Sequence, residues 1–136
     1  MKIVILGCGR VGATLAGMMG MAGHTVSVID QSSDAFQRLG PDFQGSTFVG
    51  NGVDEDVLIR AGIREADAFA AVTNGDNRNI MASQIAKEIF KVKKVVCRIY
   101  DPIREETYRE LGLETFCPTL VGSQIMFDAI TEKKQK

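Results

Sequence analysis

The chain has 136 residues, the length of one domain. Lys and Arg total 16 and Asp and Glu 17, so the net charge of -1 argues against a nucleic-acid partner gripped by a basic face. At 45% hydrophobic and 24% charged residues the composition is that of an ordinary globular domain, and no apolar run approaches the roughly 20 residues needed to cross a bilayer.

The opening apolar stretch, Ile3 to Leu6, suits a strand buried on both faces; it is too short for a signal peptide and runs straight into glycines. Val11 to Ala22 has the composition of a helix. Thr25 to Ile29 is a β-branched strand, and Asp34 to Leu39 a short helix that Ser32 or Ser33 could cap. Thr47 to Val49 is a third strand, followed by a helix from Asp54 to Ala61 that Gly62 ends. Ala68 to Val72 is a fourth strand and Asn77 to Phe90 a long helix. Val95 to Ile99 is a fifth strand. A helix from Pro102 to Leu111 has Pro at its start and Gly112 past its end. Glu114 to Phe116 is a sixth strand and Leu120 to Thr131 the last helix. Glu132 to Lys136 reads as a polar tail. Strict β-α alternation through six strands predicts an α/β fold of one domain over residues 1–136: a Rossmann-like, doubly wound parallel sheet of order 3-2-1-4-5-6.

Within that frame Gly7-Cys8-Gly9-Arg10-Val11-Gly12 is a GxGxxG that follows the first strand and opens the first helix. Gly7 would permit the tight turn, Gly9 the approach of a pyrophosphate, and Gly12 close helix packing. The helix N-terminus would offer its free N–H groups to phosphate, with Arg10 adding charge. The alternative is a tight turn and nothing more. Asp30 closes the second strand about 20 residues on, where a carboxylate accepts hydrogen bonds from ribose hydroxyls. It would repel a 2′-phosphate, and Gln31, Ser32 and Ser33 supply no arginine to attract one, which leaves Arg38 as the nearby competitor. Asp30 could equally cap the next helix, and the two roles are compatible.

Three further loops should gather at the same sheet edge. Gly50-Asn51-Gly52-Val53-Asp54 could wrap an adenine, or serve as a loop with Asp54 capping a helix. The polar run Thr73-Asn74-Gly75-Asp76-Asn77-Arg78-Asn79 lies next to the fingerprint strand, or is a capped helix start. Arg98 interrupts an apolar strand, where burial demands either a bound anion or a structural ion pair.

Catalytic machinery is sparse. His24 is the only histidine and falls in a turn at the end of the sheet away from the ligand edge. Cys8, Cys97 and Cys117 are too scattered for a disulfide framework or a metal site, which places the chain in a reducing cytosol. Met18, Met19 and Met21 read as helix packing. Binding without chemistry is the better reading, so an enzyme is not expected.

Assembled, these residues resemble the nucleotide-binding N-terminal domain of the Trk/Ktr-type potassium uptake regulators, also called RCK or KTN domains. The resemblance covers nearly the whole chain. It rests on Lys2 to Gly12, Val28-Ile29-Asp30, Gly50-Asn51-Gly52, Ala71 to Asn79 and Cys97-Arg98, with Thr73, Asp76 and Asn79 the more telling part.

The resemblance implies a cytoplasmic regulatory subunit, peripheral to the inner face of the membrane through a potassium-translocating partner. It would form a homodimer or larger ring and bind NAD, NADH, ATP, ADP or AMP. Gly7, Cys8, Gly9, Arg10, Val11 and Gly12 would hold phosphates and Asp30 with Gln31 the ribose. Asn51, Gly52 and Val53 would border the adenine, and Thr73, Asn74 and Arg98 the phosphate side. Asn51 replaces a common family aspartate, and Thr119 a common glutamate after Pro118. The second regulatory domain that often follows in the family would be a separate partner, or this would be a single-domain subunit. Two other readings stand beside it: a small NAD-dependent oxidoreductase or a fragment of one, and an interaction domain that binds no nucleotide.

Overall fold

A computed structural model describes residues 1–132. Of the expected tail only Glu132 is among them, and the remainder lies outside the described residues. The chain runs β1 (Lys2–Leu6), α1 (Arg10–Met21), β2 (Thr25–Asp30), a 3₁₀ segment (Ser33–Leu39), β3 (Ser46–Val49) and α2 (Glu55–Arg60). It continues through β4 (Ala68–Ala71), α3 (Asp76–Gln84), β5 (Lys94–Arg98), α4 (Pro102–Glu110), β6 (Glu114–Phe116) and α5 (Pro118–Ile130). All strands are parallel in the order β3-β2-β1-β4-β5-β6, the expected doubly wound sheet.

Period-two alternation builds two cores from the same strands. Ile3 and Ile5 face α1 with Val26, Val28, Ala70 and Val72, against Ala13 and Ala16. Val4 and Leu6 face the other way with Ile29, Phe69 and Val95, against Val57 and Leu58 of α2 and Ala82 of α3. Each fully buried aliphatic contributes about 1.5–3 kcal/mol. In β5 the same alternation puts Cys97 with Ile99 under α4, beside Tyr108. Val96 and Arg98 therefore fall on the α1 face.

Several elements depart from the sequence reading. The segment at Ser33–Leu39 is 3₁₀ and not α, and Ser32 precedes it without a side-chain capping bond. The long third helix is α only to Gln84. Ile85–Ile89 widens to a π turn, and Lys91 at φ 58° reverses the chain so that Val92 enters the core. The last helix starts two residues early because Pro118 suits a first-turn position. Met18 and Met21 do not pack as expected: Met21 is 92% exposed, and only Met19 of the three leans on the core. Helix α5 buries no residue.

Candidate functional site

The order of the sheet reverses between β1 and β4, and ligands of open α/β sheets bind in the crevice beyond such strand ends. A cleft of about 520 Å³ lies there.

Its floor is the glycine loop. Gly7 has φ +107°, and a Cβ there would stand 2.9 Å from the Thr73 backbone nitrogen, so only glycine makes this turn between β1 and β4. A Cβ on Gly12 would sit 1.7 Å from the Gly7 carbonyl oxygen, which fixes α1 against the turn. Around Gly9 a Cβ would meet nothing within 4 Å. Gly9 is also the cap residue of α1, offers no side-chain acceptor, and is followed by no acid in the first turn. The opening N–H groups of α1 are thus left to an anion.

Asp30 stands opposite. Its Oδ2 accepts from the Cys8 N–H at 2.8 Å and its Oδ1 from the Ser32 N–H at 2.9 Å. The carboxylate spans the glycine loop and the next turn, and each oxygen keeps a lone pair. It does not occupy the cap position of the 3₁₀ segment, which Ser32 takes. The Cys8 thiol beneath is pushed above its ordinary value by burial and by the Asp30 charge, partly offset by Arg38. It is therefore held as a neutral thiol and not as a nucleophile.

The loop after β4 is knotted to β5 by a buried asparagine. Asn79 Oδ1 accepts from the Thr73 hydroxyl at 2.6 Å and the Thr73 N–H at 3.0 Å. Its Nδ2 donates to the carbonyls of Thr73 and Arg98, both at 2.9 Å. Asp76 accepts from the N–H groups of Tyr100 and Asp101 at 2.8 and 3.2 Å. The phrase from Thr73 to Asn79 is thus mostly a brace. Arg98 is only 7% exposed; one Nη donates to the Thr73 carbonyl at 2.7 Å, and the guanidinium lies 4.6 Å from the Tyr100 ring centroid. Among the described residues it pairs with no carboxylate, and its Nε has no acceptor.

Of the residues singled out from sequence, Gly7, Cys8, Gly9, Arg10, Val11, Asp30, Gln31, Gly52, Thr73, Asn74 and Arg98 line the cleft. Three do not. Gly12 lies packed beneath the turn. Asn51 turns its Oδ1 to the Val53 N–H at 3.1 Å, and Val53 packs on the core of the opposite face. Asp54 caps α2 by accepting from the Asp56 N–H at 2.9 Å. Arg38, the competitor beside Asp30, and Arg78, from the polar run after β4, also line the cleft, as does Tyr100, which no motif announced. Arg10, Arg38, Arg78 and Arg98 therefore face Asp30 alone, a cationic site in a chain of net charge -1. His24 lies at the opposite end of the sheet, its Nδ1 accepting from the amino terminus of Met1 at 3.0 Å.

Residues 3–118 match the family model described as the TrkA-N domain. The chain belongs to the TrkA-N domain family. The match spans the glycine loop, Asp30 and the brace around Asn79, and it ends at the first residue of α5. This TrkA-N domain is 54% identical over 115 residues to the Trk system potassium uptake protein TrkA of Streptomyces coelicolor, covering 85% of this chain and 52% of that protein. The chain spans about half the length of the curated relatives it matches at comparable coverage. Among solved structures, the Shewanella denitrificans Kef CTD in AMP-bound form superposes with a TM-score of 0.81 at 20% identity, over 100% of this chain and 84% of that one. GsuK bound to ADP gives 0.81 at 21% identity, over 98% of this chain and 34% of that one. These two likenesses show a shared fold.

Proposed function

We propose that the chain is a non-enzymatic, nucleotide-binding regulatory domain of a potassium uptake system, taking an adenine nucleotide or NAD(H) in the cleft. The observation that carries the reading is the pairing of open helix N–H groups around Gly9 with a carboxylate, Asp30, already held in place across the loop. A relative of 54% identity is named for potassium uptake, and two proteins of the same fold are described with AMP and with ADP. The lone histidine, remote from the cleft, supplies no acid–base partner there.

On this reading the domain works in the cytoplasm, against the inner face of the membrane through a potassium-translocating partner. It pairs with a second copy through apolar helix surface. No helix of the described residues is long and apolar enough to cross a membrane. Nucleotide exchange shifts the assembly only by differential affinity for two arrangements, and a tenfold preference supplies about 1.4 kcal/mol.

Thermal unfolding with millimolar AMP, ADP, ATP, NAD and NADH tests the binding. A ligand at a hundredfold its Kd stabilises the native state by about 2.7 kcal/mol. At least one of the five should raise the midpoint, without turnover of NADH. Identical midpoints for all five would refute the reading.

A further inference from the structure

We infer that Arg38 is the residue that selects the base, its guanidinium plane stacking on a purine ring seated beside Gly52. This rests on the nucleotide-binding reading above and deepens it.

The sequence points to Asn51, Gly52 and Val53 for the base, and the structure withdraws two of the three. Asn51 spends its Oδ1 on the Val53 N–H, Val53 packs on the opposite core, and neither lines the cleft. Gly52 does line it, but a Cβ there would stand 2.3 Å from the Leu6 side chain, so this part of the wall is bare backbone. The loop after β3 therefore offers the base no side chain. Of the chain that follows Asp30, Gln31, Ala35 and Arg38 line the same cleft.

Arg38 has the chemistry and the freedom to hold a ring. It is exposed, so a ligand in the cleft reaches it. Among the described residues its one hydrogen bond is long, Nη1 donating to the Cys8 carbonyl at 3.4 Å, and no carboxylate pairs with it. That bond ties the guanidinium to the glycine-loop residue whose N–H Asp30 accepts at 2.8 Å, so the plane stands beside the carboxylate that takes the ribose. In a nucleotide the base is joined to the sugar carbon next to the one bearing the 2′-hydroxyl. A ribose gripped by Asp30 thus delivers its base into reach of Arg38. The 5′-phosphates go the other way, to the open N–H groups around Gly9. A guanidinium is planar, delocalised and weakly hydrated, and it stacks on aromatic faces, nucleic-acid bases among them, where an ammonium offers only a point charge.

Calorimetric titration of the full chain with ADP and CDP, which share sugar and phosphates and differ only in the base, reads the selection. The wild type should bind ADP about tenfold more tightly than CDP, because the larger ring covers more of the guanidinium. Arg38→Lys keeps the charge and removes the plane; Arg38→Gln removes both. In each variant the ratio should fall below about threefold, through lost ADP affinity and with CDP nearly unchanged. A wild-type ratio within twofold of one would overturn the assignment while leaving nucleotide binding intact. So would a wild-type ratio in Arg38→Lys, and so would equal losses for ADP and CDP, which would make Arg38 a contact to sugar or phosphate. Absence of binding by either nucleotide would overturn both this inference and the reading it rests on.

Discussion

The Cys8 N–H donates to Asp30 Oδ2 at 2.8 Å, so the second residue of the glycine loop and the last residue of β2 hold each other in register. A carboxylate fixed in this way loses no rotamer freedom when a ribose arrives, and that lowers the entropic cost of binding. Asp30→Ala should therefore weaken adenine-nucleotide affinity by about 1–3 kcal/mol, the value of hydrogen bonds to a charged group. Calorimetry measures it. Asp30→Asn keeps an acceptor for the Cys8 N–H but sets its amide NH2 against the Ser32 N–H, so it should lose affinity and also lower the melting temperature, by less than Asp30→Ala.

Two glycines of one motif should behave oppositely. Gly9 has free space where a Cβ would go, so Gly9→Val should fold with a melting temperature near that of the wild type and lose nucleotide binding at least tenfold. At Gly12 a Cβ would collide with the Gly7 carbonyl at 1.7 Å, so Gly12→Ala should destabilise the fold by about 1–3 kcal/mol or more. Urea denaturation alongside titration resolves the pair, and equal stability losses would contradict the assignment.

That contrast marks how far the sequence carried. Strand order, parallel pairing and the junction of loop and Asp30 follow from β-α alternation and glycine spacing, which are properties of the linear pattern. The depth of Arg98 was legible as a charge in an apolar run, but its face required knowing where β5 begins. Arg38 was legible only as a neighbour of Asp30 and Arg78 only as one member of the polar run after β4; the return of the chain across the sheet brings both to the cleft. Asn51 was drawn to the site by its place in a glycine-rich loop, whereas its side chain closes a turn onto the Val53 N–H. The exposure of Met18 and Met21 was equally invisible, because methionine on a helix has the same composition whether or not something covers it.

The buried thiols predict a pH dependence. Burial raises both Cys8 and Cys97 above the ordinary value of 9.0; the Asp30 charge adds to the rise at Cys8, and for Cys97 the nearby Ser83 hydroxyl partly offsets it. The folded state thus binds these protons more tightly than the unfolded chain. Their contribution is complete below the ordinary thiol value and is lost as pH rises above it. Melting temperature should fall from pH 8 to 10 more steeply in the wild type than in Cys8→Ala/Cys97→Ala. Parallel slopes would contradict it.

Helix α5 predicts association. Leu120, Val121, Ile125, Met126 and Ile130 are all exposed, with Ile130 at 79%, and none is covered by the sheet. So much uncovered apolar surface on one helix favours a partner. Light scattering at micromolar concentration should return a dimer or larger assembly, and Ile125→Glu should shift it toward monomer. A monomeric wild type would count against the pairing.

The most direct measurement is a crystal structure with ADP soaked in. The account predicts ribose hydroxyls on the Asp30 carboxylate and the first phosphate over Gly9, within hydrogen-bond distance of the opening N–H groups of α1. A cleft left empty at saturating ADP, or a nucleotide bound elsewhere on the surface, would contradict it.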